Sequence, residues 1–146
     1  MFKSGFISIL GRPNVGKSTF FNTVLGDKIS IVTNKPQTTR NRISGIKNFP
    51  DAQMIFLDTP GIHKPKNPLN RAIVKATQET IGNADILLML VEANSDVRQH
   101  DLLVTESLRS VKVPVFLVIN KIDLIEKKYL LPLIDKFSKL YNYKEI

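Results

Sequence analysis

Gly11-Arg12-Pro13-Asn14-Val15-Gly16-Lys17-Ser18 fits the pattern G-x-x-x-x-G-K-[ST] at every fixed position. Phe6-Ile7-Ser8-Ile9-Leu10 precedes it as an apolar run of strand length. Thr19-Phe20-Phe21-Asn22-Thr23-Val24-Leu25 follows, with apolar residues paired on one side as a helix would place them. Strand, glycine loop and helix is the setting that this motif requires. The backbone N–H groups of such a loop, with the N-terminus of the helix behind them, hold negatively charged phosphates. Gly11 and Gly16 allow a close backbone approach where a Cβ would collide. Lys17 is placed to bridge the β- and γ-phosphates of a nucleotide, and the Ser18 hydroxyl to bind Mg2+.

Outward from this loop, Gly26 is expected to close the helix. Residues 28–43 are polar, hold Pro36 and sustain neither helical nor strand periodicity. Loops of that length in a compact domain are commonly functional. Ile43 to Phe49 reads as a strand weakened by Gly45, Pro50-Asp51 as a turn, and Gln53 to Leu57 as a buried strand ending at Asp58. A second irregular stretch, rich in Lys and Pro, runs from His63 to Pro68, and a helix is expected from about Leu69 to Ile81. Asp85 to Val91 is a third buried strand. Asp101 to Val111 reads as a helix with Leu102, Leu103 and Leu108 inward. Pro114 opens a strand from Val115 to Ile119 that ends at Asn120. A last helix begins near Pro132, a residue suited to a first turn, with Leu133, Ile134, Phe137, Leu140 and Tyr141 at helical spacing. Continuous apolar strands alternating with helices imply an α/β fold, a mainly parallel sheet covered on both faces. Ligands bind such sheets beyond the C-terminal strand ends. The loops at Gly11, Asp58 and Asn120 all follow such ends, so one edge collects every motif.

The 146 residues suit one domain with a hydrophobic core. No apolar stretch approaches the ~20 residues of a membrane span, and Met1-Phe2-Lys3-Ser4 leads into the first strand without room for a signal peptide. The absence of cysteine excludes disulfides and thiolate metal sites and is compatible with a cytoplasmic location. Twenty-one Lys and Arg against thirteen Asp and Glu give a formal charge of +8. That excess favours nucleic acid or anionic surfaces. The lysines are scattered, so two readings stand: solvated lysines plus a phosphate site, or an RNA-contacting face.

Asp58-Thr59-Pro60-Gly61 interrupts a buried strand downstream of the glycine loop. A carboxylate there would hold Mg2+, and the Gly61 N–H would meet the γ-phosphate. Asn120-Lys121-Ile122-Asp123 follows the fourth buried strand and reads as a guanine pocket. Guanine presents N1–H and an N2 amine, and the Asp123 carboxylate can accept both. Adenine lacks that amine and has an acceptor at N1, which would leave the carboxylate unpaired. Asn120 would hydrogen-bond the base and tie the loops together, while the Lys121 stem would cover the base face.

With these motifs in this order, the chain resembles the Era GTPases of bacteria from about Phe6 onward. Lys35-Pro36-Gln37-Thr38-Thr39-Arg40 is the most family-specific stretch, beside the glycine loop, Asp58 to Ile62, and Asn120 to Asp123. The related MnmE and Der proteins share much of the rest. The resemblance implies the three-layer P-loop NTPase fold and a GTP-hydrolysing switch dependent on Mg2+. It implies a role in small-subunit ribosome assembly with 16S rRNA as partner, a monomer, and a cytoplasmic location with peripheral association at the inner membrane face. The nucleotide-binding set implied is Gly11, Arg12, Pro13, Asn14, Val15, Gly16, Lys17, Ser18, Thr19, Asp58, Thr59, Pro60, Gly61, Ile62, Asn120, Lys121, Ile122 and Asp123. Mg2+ would be held by Ser18, Asp58 and a switch threonine, Thr39 in preference to Thr38. Lys17, Thr39, Gly61 and Asn14 form the catalytic set. GTP would order residues 28–43 and 59–70, and hydrolysis would release them.

Three features qualify the match. Ile62 stands where many small GTPases carry a water-orienting glutamine, so slow intrinsic hydrolysis is expected. Relatives with asparagine at the position of Asn14 can use K+ beside the phosphates in place of an arginine finger. His63 reads as a solvent-facing loop histidine, with reach to the attacking water as the alternative. The Ser-Ala loop, the sixth strand and the KH RNA-binding domain of Era-like proteins are not found before Ile146, so the expectation is a C-terminally incomplete GTP-binding domain over residues 1–146, with an exposed sheet edge. A P-loop ATPase or kinase, a GTPase of the Der or MnmE type, and a non-catalytic module remain the alternatives.

Overall fold

The computed structural model describes residues 1–12, 14–26, 43–57, 78, 81–82, 84–94 and 96–146. Its elements are β1 (Lys3–Leu10), α1 (Lys17–Leu25), β2 (Ile43–Asn48), β3 (Ala52–Leu57), β4 (Ile86–Glu92), α2 (Gln99–Ser107), β5 (Val115–Asn120) and α3 (Leu130–Leu140). The polar stretch 28–42, the stretch 59–70 and most of the helix expected over 69–81 lie outside the described residues. Of that helix, Gln78 and Ile81 are described, and both are helical.

The five described strands form one sheet in the order β2-β3-β1-β4-β5. β1 pairs in parallel with β3 and β4, and β4 with β5; β2 alone is antiparallel, joined to β3 through the turn at Pro50-Asp51. Strands covered on both faces need apolar side chains at successive positions. β1 meets this with Ile7, Ser8, Ile9 and Leu10 all buried. Ile7 and Ile9 join Val15, Leu25, Phe56 and Leu90 on the face under α1, with Phe20, Phe21 and Val24 packed against them. Leu10, Leu87, Met89, Val91, Val115 and Leu117 belong to the opposite face, covered by Val104 and Leu108 and by Leu133 and Phe137 of α3. Each fully buried side chain of this size contributes about 1.5–3 kcal/mol. Gly45 weakens β2 for a packing reason: a Cβ there would run into the Leu25 side chain and meet Phe21 Cζ at 3.0 Å.

Two predicted faces are corrected. In α2 the buried residues are Asp101, Val104 and Thr105, with Leu108 in the following 3-10 turn. Leu103 reaches the core only in part, and Leu102 is not among the residues packed on it. In α3, Leu133 and Phe137 are buried whereas Leu140 is 37% exposed. The helix turns its i, i+4 ridge to the sheet, and Leu140 lies past the end of that ridge. At the other end of the sheet, Lys144 N–H donates to the Val115 carbonyl (2.7 Å) and Leu117 N–H to the Glu145 carbonyl (3.0 Å). This is a single parallel bridge on the outer side of β5, so the edge expected to stand open is engaged there.

Candidate nucleotide-binding site

Four parallel strands place their C-terminal ends on one edge, and the chemistry gathers there. β1 delivers Gly11, β4 ends at Glu92 and β5 at Asn120. β3 ends at Leu57; Asp58, Thr59, Pro60, Gly61 and Ile62 lie outside the described residues, as do Pro13, Thr38, Thr39 and His63.

The loop after β1 has the backbone that its glycines predict. Gly16, at φ 96, lies in the left-handed region, and a Cβ on it would collide with the Asn120 side-chain amide. Gly11 has φ 154, and a Cβ there would come within 2.5 Å of the Leu90 carbonyl oxygen. Asn14 also has positive φ, at 65°, a conformation asparagine tolerates better than most residues. Val15 is fully buried and anchors the loop from below. α1 begins at Lys17, with no acidic residue in its first turn to compete for an anion. Lys17 Nζ folds back over the loop and donates to the carbonyls of Gly11 (2.7 Å) and Arg12 (2.8 Å). Burial lowers its pKa from the ordinary value.

The Asn120 loop closes on this one. Asn120 Nδ2 donates to the Val15 carbonyl at 2.9 Å. Lys121 adopts a left-handed backbone, φ 57, and its Nζ donates to the Asn14 carbonyl at 2.7 Å. Ile122, Asp123 and Leu124 make a 3-10 turn in which the Asp123 side chain is exposed. A cavity of about 330 Å3 lies between the two loops, lined by Asn14, Gly16, Lys17, Ser18, Thr19 and Lys121. The structure thus brings together the predicted phosphate and base loops through side-chain to backbone bonds.

Glu92 was absent from the sequence-predicted set. Its carboxylate receives Lys121 Nζ (3.1 Å), lies 3.1 Å from Arg12 Nη2, and accepts from Arg98 Nη2 at 3.1 Å. Its pKa is lowered chiefly by the Lys121 hydrogen bond and further by the charges of Arg12, Lys121 and Arg98. An acidic residue at the end of an apolar parallel strand, on the edge where the motifs gather, is the signal that could have found it. Behind it, the Asp101 carboxyl is buried and its pKa is pushed up to about 6. His100 Nδ1 lies 4.0 Å from Asp101. Burial and the charges of Arg12 and Lys17 lower the His100 pKa, so the contact is not an ion pair at neutral pH.

Residues 6–121 match a family described as 50S ribosome-binding GTPase. The chain is 56% identical over 146 residues to the GTPase Era of Syntrophus aciditrophicus (strain SB), an alignment that covers 100% of this chain and 48% of that protein. Among solved structures it resembles Era in complex with MgGDPNP and nucleotides 1506–1542 of 16S ribosomal RNA, with a TM-score of 0.76 at 43% identity over 100% of this chain and 50% of that one. A variant of Aquifex aeolicus Era bound to GDP·AlF4− gives a TM-score of 0.74 at 41% identity over 99% of this chain and 50% of that one. The chain spans about half the length of these relatives. Among the described residues no helix is long and apolar enough to cross a membrane.

Proposed function

The chain belongs to the family of 50S ribosome-binding GTPases, and on that premise we propose that it is a guanine-nucleotide switch of the Era type, hydrolysing GTP to GDP and phosphate. The observation that carries this reading is the joining of the two loops by Asn120 Nδ2 and the Val15 carbonyl. It supports the reading of Asp123, on the turn that follows Asn120, as the base-reading carboxylate beside a loop shaped for phosphates.

In this reading the loop N–H groups and Lys17 hold the polyphosphate, and the Lys121 stem lies against the base. Lys17 is already oriented by two carbonyls, so little ordering is left for binding. Ser18 lines the cavity beside Lys17, and its hydroxyl is an uncharged oxygen donor of the kind that suits Mg2+. Ser18 with Asp58 and Thr39 would hold that ion, which when bound neutralises charge on the phosphates. Asn14 lines the same cavity and is the candidate for K+. Ile62 offers no group to polarise water, so intrinsic hydrolysis is slow. Residues 28–43 and 59–70 are the switch segments.

By likeness to the Era structure that carries a 16S rRNA fragment, the partner of the whole protein is the small ribosomal subunit. The protein acts as a monomer in the cytoplasm, with peripheral membrane association. The assignment of residues 1–146 to a GTP-binding domain belongs to the same proposal. Titration with fluorescent GDP and ADP tests the core of it. Tight Mg2+-dependent GDP binding with weak ADP binding supports the proposal; a preference for adenine nucleotides overturns it.

A further inference from the structure

We propose that Glu92 is a positioning residue for the nucleotide site, one carboxylate that sets the phosphate loop, the base loop and the start of α2 against each other. This rests on the guanine-nucleotide reading above. Glu92 closes β4 directly beside Asn120 in the parallel register, and Ala93 N–H donates to the Asn120 carbonyl at 2.8 Å. The backbone therefore fixes where the carboxylate stands relative to the base loop. From there its two oxygens divide three cations. Oε2 takes Lys121 Nζ and faces Arg12 Nη2, each at 3.1 Å, and Oε1 takes Arg98 Nη2 at 3.1 Å.

The three cations have different duties. Arg12 belongs to the phosphate loop, Lys121 to the base loop, and Arg98 stands directly before α2, where its carbonyl accepts the first helical N–H groups. Lys121 also donates to Asn14. Glu92 thus holds the far side of an ammonium whose near side already grips the phosphate loop. The Glu92 side chain is only 18% exposed, so its pairs are screened less than surface pairs. Without its charge, Arg12, Arg98 and Lys121 would face each other uncompensated beside the cavity that Lys121 lines. Lys121 would lose one of the two anchors that hold its stem across the base.

The test is a double-mutant cycle read as the dissociation rate of fluorescent GDP from the full chain. Glu92→Gln is expected to raise that rate about tenfold on the native background, the loss of one charge-assisted hydrogen bond. Where Lys121 is already replaced, in Lys121→Met, the same change is expected to raise it less than about threefold. Glu92→Asp, which keeps the charge on a shorter arm, should fall between Glu92→Gln and the unaltered protein. An unchanged rate in Glu92→Gln, or an equal fold-change on both backgrounds, overturns the positioning role. If Glu92→Gln does not fold, the cycle is run with Glu92→Asp under the same criteria. Failure of the unaltered protein to bind GDP at all would instead remove the reading of the site.

Discussion

The side chain of Asn120 and the backbone carbonyl of Val15, 105 residues apart in sequence, are joined by a 2.9 Å hydrogen bond. The same amide stands over Gly16, so closely that a Cβ on that glycine would occupy its place. The Asn120 loop and the glycine loop are one unit, held by a donor on the first and an acceptor on the second.

Gly16→Ala should therefore act twice. It strains a backbone at φ 96 and pushes the Asn120 amide off Val15. GDP affinity is expected to fall at least about a hundredfold, with a stability loss of about 1–3 kcal/mol. Asn120→Ala, which leaves the Val15 carbonyl unpaired, should weaken GDP binding without the backbone strain. Calorimetric titration and urea denaturation of both variants check this. A Gly16→Ala protein with native affinity would disprove the coupling.

Asp123 is exposed on its turn, free to accept from a base. Asp123→Asn converts the carboxylate into an amide that offers a donor. Affinity for GDP is expected to drop about 10³-fold or more, and xanthosine diphosphate to become the better ligand. Competition of the two diphosphates against a fluorescent analogue reads this out, and unchanged selectivity would count against the guanine pocket.

Asp101 supplies a pH dependence of opposite sign to that of Glu92. Its carboxyl lies 4.0 Å from His100 Nδ1 and feels the charges of Arg12, Arg98 and Glu92, yet burial prevails and its pKa rises from 3.8 to about 6. Between those values the folded protein holds a proton that the unfolded chain has released. Stability contributed by this group is complete below pH 3.8, declines as pH rises through about 6, and stays lost above. Glu92, with its lowered pKa, contributes stability at neutral pH that is lost as pH falls through its folded value. Asp101→Asn should remove the decline near pH 6 and raise stability at pH 7.5 by about 1–3 kcal/mol. Urea denaturation at pH 4.5, 6 and 7.5 measures it; a variant with an unaltered slope would show that Asp101 is not the source.

Asn14 lines the cavity with a left-handed backbone. If it helps to hold K+ beside the phosphates, steady-state GTP hydrolysis in KCl should exceed that in NaCl by at least about tenfold. The difference should vanish in Asn14→Ala. Equal rates in the two salts would remove the idea.

The sequence by itself determined the sheet's strands, the loop after β1, the stop at Gly26, and the strand ends that the glycine loop and the Asn120 loop follow. These features are local. An apolar run, a glycine that must turn, or a polar tetrapeptide at the end of a strand carries its meaning within a few residues. Only the tertiary structure decided which helix faces are buried: Asp101 and Thr105 went inward where Leu102 had been expected, and Leu140 came out. Only the tertiary structure drew Arg12, Arg98 and Lys121 around Glu92. A helix's inner face is chosen by the ridge it meets on the sheet. A carboxylate's partners are chosen by which strand ends lie side by side. Both are set by contacts between distant parts of the chain.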